Sequence, residues 1–296
     1  MMSSDRQLDL HDFYPLAMID THTHFDVKDF DADRAQQALL AQQAGVQGLV
    51  LIGYLARYFD RLMATQQTLN QWHHAQQSPR AYVAAGLHPF YILQHQPDDL
   101  AQLERVLRQH DCLAIGEIGL DTFTAEMKQP QVYQAQKDLF AAQLELAQQF
   151  DLPVMLHIRR AHADSLAILK QHNFRHGGIA HAFSGGVQEA DAFIKQGFKL
   201  GVTGQVTNPN AKRLRQVVAH VGADHLVLET DCPDMTPLCC QQSNEHRTRN
   251  VPANLPYVLD SLATILNIEK NTLAQKLWHN SHDCLRLDLP NDPPNL

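Results

Sequence analysis

The sequence predicts an α/β fold, a (β/α)8 TIM barrel. Three observations carry this. Eight short runs rich in Val, Ile, Leu and Ala alternate with longer amphipathic segments rich in Gln, Ala, Leu and Arg. The runs are apolar throughout rather than alternating in polarity, as parallel strands buried on both faces require. Side chains able to bind metals collect at the C-terminal ends of these runs, which is where such barrels place their chemistry.

In order, the strand candidates are LAMID (16–20), VQGLVLIG (46–53), AYVAAGL (81–87) and CLAIGEIGL (112–120), then PVMLHI (153–158), GGIAHAF (177–183), KLGVTG (199–204) and HLVLET (225–230). Helical patterns separate them at 32–44, 56–76, 98–109, 129–150, 162–172, 187–196 and 210–221. Two more, near 253–266 and 270–285, follow the eighth strand. The expected organisation is an N-terminal arm over 1–15, one barrel domain over 16–288 and a C-terminal tail over 289–296. Residues 235–252 form the one long irregular segment, expected to overhang the active face after strand eight.

Of the 296 residues, 44% are hydrophobic and 19% charged, ordinary proportions for a water-soluble domain. No run approaches the roughly 18 apolar residues a membrane span needs. The first residues, MMSSDRQLDLHDFYP, have neither the basic nor the apolar region of a secretory signal. Five cysteines (Cys112, Cys232, Cys239, Cys240 and Cys284) form neither a disulfide framework nor a CxxC pair, so a reducing cytoplasm is expected. A net charge of −8 argues against broad electrostatic capture of nucleic acid, leaving local grip by metals and a few basic groups. A monomer with no obligate protein partner and no membrane attachment is expected.

With 18 histidines in the chain, an isolated one says little, and placement must separate ligands from background. Strand one ends in His22 and His24, strand four in Glu117 and Asp121, strand five in His157 and Arg159. Strand six ends with His181, and strand eight with Glu229 and Asp231. His22 and His24 are two apart and point to one side of an extended chain, which suits Zn²⁺ or a similar ion. The alternative for such a pair is a His-rich loop, and for His157 or His181 a hydrogen-bonded core histidine. Glu117 sits among Ile, Gly and Leu, where either a metal or an arginine must answer its charge. Jointly, four histidines, a Glu and an Asp exceed the needs of one tetrahedral ion and suit two ions sharing a carboxylate.

The motifs THTHFD, GLHP, GEIGLD, LPVMLHIRRA, HAFSGG and LETDCPDMTP stand in the order and spacing of TatD-type metal-dependent deoxyribonucleases, a branch of the amidohydrolase-like barrels. The resemblance runs from about residue 17 to 285, includes Asn250-Val251-Pro252 and Asn280, and in TDCPDM is most similar to the YjjV subgroup. It implies that His22, His24 and Asp231 hold one ion, that Glu117 bridges, and that His157 and His181 complete the second. It further implies two divalent ions (Zn, Mg or Mn), catalytic roles for Asp231 and Glu117, and DNA as substrate. Arg159 would contact phosphate, His88 and Asp121 would lie beside the site, and Ser184 with the Gly185–Gly186 backbone would meet a phosphate oxygen. Asp20 and Asp26 read as supports. Ile158 and Arg160 depart from the Cys and Asp often found in the strand-five motif, Cys232 offers a soft ligand, and the 238–250 stretch with Cys239, Cys240 and His246 has no clear counterpart.

Two other readings compete with DNA cleavage. The first keeps the metals but takes a small ester, amide, lactone or phosphate ester. The second is a scaffold without chemistry, against which stand six filled ligand positions. Basic residues at the mouth would favour DNA, and Arg159, Arg160, Arg247 and Arg249 are the candidates.

Overall fold

The computed structural model describes residues 16–242, 248–288, 290 and 293–294, and all eight expected strands form within them. The expected 1–15 arm lies outside the described residues, as does most of the 289–296 tail. The strands are β1 (Met18–Thr23), β2 (Val46–Ile52), β3 (Arg80–Ala85), β4 (Ala114–Asp121), β5 (Val154–Arg159), β6 (Gly178–Ala180), β7 (Phe198–Val202) and β8 (Leu226–Leu228). Neighbours in sequence are neighbours in one sheet, and every pair is parallel.

The helices between them are α1 (Arg34–Gln43), α2 (Phe59–His74), α3 (Asp99–Gln109), α4 (Pro130–Gln149), α5 (His162–Gln171), α6 (Val187–Lys195) and α7 (Lys212–Val221). Then come α8 (Leu255–Leu266) and α9 (Lys270–Leu285). None of the described helices is long and apolar enough to cross a membrane.

Alternate strand residues divide between two apolar layers, as a period of two dictates. Ile19, Val50, Ile52, Ala84, Met155, Ile179 and Val227 fill the barrel, with Trp278 of α9 packed among them. Leu49, Leu51, Val83, Leu156, Leu200 and Leu228 turn outward into the helix layer. Both faces are buried, so the strands read as near-continuous apolar runs.

Strand ends differ from expectation where the site begins. The first strand continues three residues past 20, because Thr21 and Thr23 are β-branched and fit a buried strand. His22 is therefore inside β1 rather than beyond its tip. β6 and β8 are only three residues each, so His181, Glu229 and Asp231 stand in the loops that follow.

Polar bonds tie β1 to β8 at the same end. The Asp231 N–H donates to His22 O and the Thr21 hydroxyl to Leu228 O, each at 2.9 Å. Asp20, fully buried, accepts the Thr230 N–H at 2.9 Å and its hydroxyl at 2.6 Å.

Candidate metal centre

Strand ends deliver every sequence-predicted ligand to one place. Glu117 lies at its centre, with its side chain 2% exposed and histidines on all sides. Its Oε2 stands 3.3 Å from His22 Nε2 and 3.5 Å from His24 Nε2. Those two nitrogens lie 3.7 and 3.8 Å from Asp231 Oδ1. The other carboxylate oxygen, Oε1, faces His157 Nδ1 at 2.6 Å, His88 Nε2 at 3.2 Å and His181 Nε2 at 3.8 Å. Asp231 likewise divides its oxygens, with Oδ2 3.6 Å from His181 Nε2. Among the described residues no arginine answers Glu117; imidazoles do.

The spacing fits a metal. Donors about 2.1 Å from a tetrahedral ion stand about 3.4 Å from one another. Four edges of the His22–His24–Glu117–Asp231 set measure 3.3 to 3.8 Å, close to that value. His22 adds a second sign, because both its ring nitrogens are buried without a hydrogen bond. Leaving them so would be costly unless something else fills the gap.

Supporting contacts fix which nitrogen each imidazole offers. His24 Nδ1 lies 3.2 Å from Ile52 O, and a carbonyl can only accept, so Nδ1 carries the proton and Nε2 is free to ligate. His181 Nδ1 lies 3.0 Å from Glu229 Oε1, which aims its Nε2 inward. Glu229 is itself held by the Ala182 N–H at 2.6 Å, and only a glycine at 201 leaves room for its carboxylate. His157 bonds Asp121 Oδ2 through Nε2 at 2.9 Å, leaving Nδ1 for the centre.

His88 is the exception. Its Nδ1 accepts the Phe90 N–H at 3.0 Å, so the neutral ring carries its proton on Nε2 and points a donor at Glu117. Burial pushes its pKa down to about 4, which keeps it neutral. His88, Glu117 and His157 together would suit an ion by position, yet hydrogen bonding makes His88 a donor rather than a ligand.

Charge in the cluster is strongly coupled. Burial alone would raise Glu117, but His88, His181, His22 and His157 hold it well below the usual carboxylate range. Burial disfavours charge on His157, and Glu117 and Asp121 overcome this to raise it to about 9. His181 is raised well above its ordinary value by Glu229, Asp231 and Glu117 against the same burial. The carboxylates call for positive charge, which imidazolium protons or divalent cations can supply.

Two buried glutamines of α4 hold the surrounding loops. Gln143 Oε1 accepts the Leu87 N–H at 2.7 Å and its Nε2 donates to Leu87 O at 3.1 Å, beside His88. Gln136 pairs in the same way with Asp121. Sequence reasoning missed both, since glutamine is common along this chain.

The centre opens into a cavity of about 1460 Å³. Arg159 and Arg160 stand in its wall beside Phe123, their Cζ atoms 3.4 and 4.8 Å from the ring centroid. Lys28, Arg61 and Arg213 also line it, three basic groups the sequence did not single out. Arg249 does not reach the cavity as expected; it binds Asp33 and the Asp29 carbonyl, pinning the post-β8 loop to the start of α1. Arg247 and His246 lie outside the described residues. Ser184 donates to Ile158 O at 3.4 Å, and the Gly186 N–H is taken by Glu189, so this turn offers less to a phosphate than its sequence suggests. Cys232 joins none of the candidate ligand groups among the described residues, and its thiol lies 2.8 Å from Thr23 Oγ1. Asp20 and Asp26 are both buried, and Asp20 ties β1 to Thr230.

A sequence model described as TatD related DNase matches residues 19–286, nearly the whole chain. This chain belongs to the TatD-related DNase family. As a member it is a metal-dependent hydrolase. It is 37% identical over 267 residues to the "Uncharacterized metal-dependent hydrolase YjjV" of Escherichia coli K12, covering 89% of this chain and 96% of that protein. It is 33% identical over 273 residues to the "3'-5' ssDNA/RNA exonuclease TatD" of Edwardsiella piscicida, covering 91% and 100%. The crystal structure of YjjV from E. coli superposes with a TM-score of 0.81 at 33% identity, covering 91% of this chain and 98% of that one.

Proposed function

We propose that this TatD-family hydrolase cleaves phosphodiester bonds of DNA, taking an unpaired strand, and that two divalent cations serve it. The observation that carries the reading is Glu117, whose two oxygens face different sets of histidines from the middle of the barrel mouth. His22, His24 and Asp231 would hold one cation with Glu117 Oε2, and His157 and His181 the other with Oε1. Bound there, the cations supply Lewis-acid polarisation of water and of phosphoryl oxygens. Nitrogen and carboxylate donors accept Zn²⁺, Mn²⁺ or Mg²⁺ without choosing sharply among them.

The chain's own groups do the rest. Asp231 sets its carboxylate between the His22–His24 pair and His181, placed to take a proton from the attacking water. His88 points Nε2–H into the same space, a fixed donor for a phosphoryl oxygen. Arg159 offers its guanidinium from the cavity wall, a geometry that matches two phosphate oxygens. Relatives named as ssDNA/RNA exonucleases support a single-stranded substrate.

The test compares wild type, Glu117→Ala and His157→Ala on a labelled oligonucleotide with Mg²⁺, Mn²⁺ or Zn²⁺, alongside metal analysis. Wild type should carry two equivalents and cleave, and each variant should lose metal and at least about a hundredfold in rate. Equal cleavage by all three would sink the binuclear reading.

The net charge of −8 favours a second reading, a small ester or phosphate ester at the same centre. Salt separates the two: DNA binding weakens steeply with ionic strength, and binding of a small neutral ester does not.

A further inference from the structure

The cavity mouth is uneven around its circumference. Along the side formed by the loops after β2 and β3, aromatic rings follow one another: Tyr58 to Tyr54 at 5.5 Å, Tyr54 to Tyr91 at 5.5 Å, and Tyr91 to Phe90 at 5.6 Å. The rings are tilted by 45°, 44° and 85°, so they fan out instead of packing face to face. All four line the cavity. The run begins against the metal centre, with Tyr54 edge-on to His24 at 5.6 Å and Tyr91 edge-on to His88 at 5.5 Å. It ends in the open, where Phe90 is 38% exposed. A core cluster would be covered; this one is partly accessible throughout.

Positive charge accompanies the rings. Lys28 and Arg61 line the cavity on this side, and Arg159 and Arg160 continue it after β5 around Phe123. Across the mouth, the loops after β6, β7 and β8 contribute Ser184, Gln205, Asp234 and Met235 to the wall, and no tyrosine or phenylalanine among the described residues.

We infer that the Tyr58–Tyr54–Tyr91–Phe90 run is a base-stacking subsite. It receives the unpaired bases next to the scissile phosphate, so that the strand enters along the β2–β5 side. This rests on the nucleic-acid reading above and adds what that reading leaves open, namely how the strand is held. Every base presents a π-face, so rigid aromatic rings hold a single strand without selecting its sequence. In a duplex those faces are covered by neighbouring base pairs, and the subsite therefore selects unpaired substrate. Acidic groups elsewhere on the surface repel a polyanion, which makes local stacking matter more here than for a basic nuclease.

The test uses the metal-loaded enzyme and hexamers of thymidylate, with or without one abasic residue beside the cleaved bond. Tyr91→Leu and Phe90→Ala are compared with wild type, Phe90 being exposed enough to replace without disturbing the fold. In wild type the missing base should raise KM roughly tenfold, and in each variant that difference should largely vanish. A 2-aminopurine placed at the same position should be quenched on binding wild type and much less on binding the variants. Should wild type cleave the hexamers but treat abasic and normal substrates alike, the stacking subsite is overturned and the nuclease reading stands. Variants that keep the full tenfold difference overturn the subsite in the same way. Failure of wild type to bind or cleave any hexamer overturns both.

Discussion

Gln136 pairs with the backbone of Asp121 as a neighbouring strand would, accepting its N–H at 2.8 Å and donating to its carbonyl at 3.0 Å. Both partners are 1% exposed, so neither bond can be replaced by water without rearrangement. Asp121 in turn holds His157 Nε2, which makes Gln136 a positioning residue two contacts removed from the His157 ring. Gln136→Leu should cost about 1–3 kcal/mol of stability, because two buried backbone groups lose their partners. It should also lower kcat more than it raises KM. Thermal unfolding and steady-state kinetics check the two halves separately, and an unchanged kcat would confine Gln136 to the fold.

His88 and His157 both approach Glu117 Oε1, yet their hydrogen bonds assign them different work. His157→Ala should lose bound metal. His88→Ala should retain it within a few-fold and lose activity by about 100- to 1000-fold, the range for one fixed donor in such a site. Metal analysis of the two purified variants decides this, and loss of metal in His88→Ala would reverse the assignment.

Glu229 is visible in LETD as a strand-end acid, but its task is not. The structure gives it one: it faces His181 Nδ1 at 3.0 Å inside a pocket that exists because residue 201 has no side chain. Partners of this kind usually contribute about 10- to 100-fold to metal affinity. Glu229→Gln should weaken metal binding by about that factor, and Gly201→Ala should do the same by displacing the carboxylate. Titration with a chelator-buffered metal would show it.

Much of this is legible in the sequence, for physical reasons. Strand order and helix placement follow from apolar periodicity, which the buried parallel sheet enforces at nearly every position. His22, His24, Glu117, His157, His181 and Asp231 are legible because their polar types interrupt apolar runs. What escapes is whatever depends on orientation. Nothing in GLHP says which nitrogen of His88 holds the proton, since that depends on the Phe90 N–H. Arg249 reads as a mouth residue in the sequence, but in the fold the Asp33 carboxylate claims it. Gln136 and Gln143 look like other helix glutamines until the chain brings Asp121 and Leu87 against them.

Cys239 should be the most reactive of the described thiols. It is exposed, and the Cys240 thiol 3.9 Å away lowers its pKa to about 7. Burial pushes Cys112 and Cys284 up to about 12. The thiolate is the nucleophile, so alkylation of Cys239 should rise with pH, inflect near 7 and level off above it. Iodoacetamide labelling of the native enzyme, read by peptide mass spectrometry, should mark Cys239 within minutes and leave Cys112 unmodified until the protein unfolds. Equal labelling would contradict the burial of Cys112.

Arg159 sets its Cζ over the Phe123 ring, 3.4 Å from the centroid, and no ion pair within 4.0 Å occupies it among the described residues. The stacked ring limits its freedom, so little entropy is lost when it meets a phosphate. Because the protein as a whole is acidic, with net charge −8, one such contact should account for a visible share of strand binding. Removing it releases one fewer counterion on binding, which for single strands lowers the slope of log affinity against log salt by about 0.7. Arg159→Ala should therefore raise KM for an oligonucleotide most at low salt and flatten that slope. Arg159→Lys should keep the slope and still lose affinity, since an ammonium restores charge but not the two-pronged geometry. An unaltered slope in Arg159→Ala would mean that this guanidinium never meets the strand.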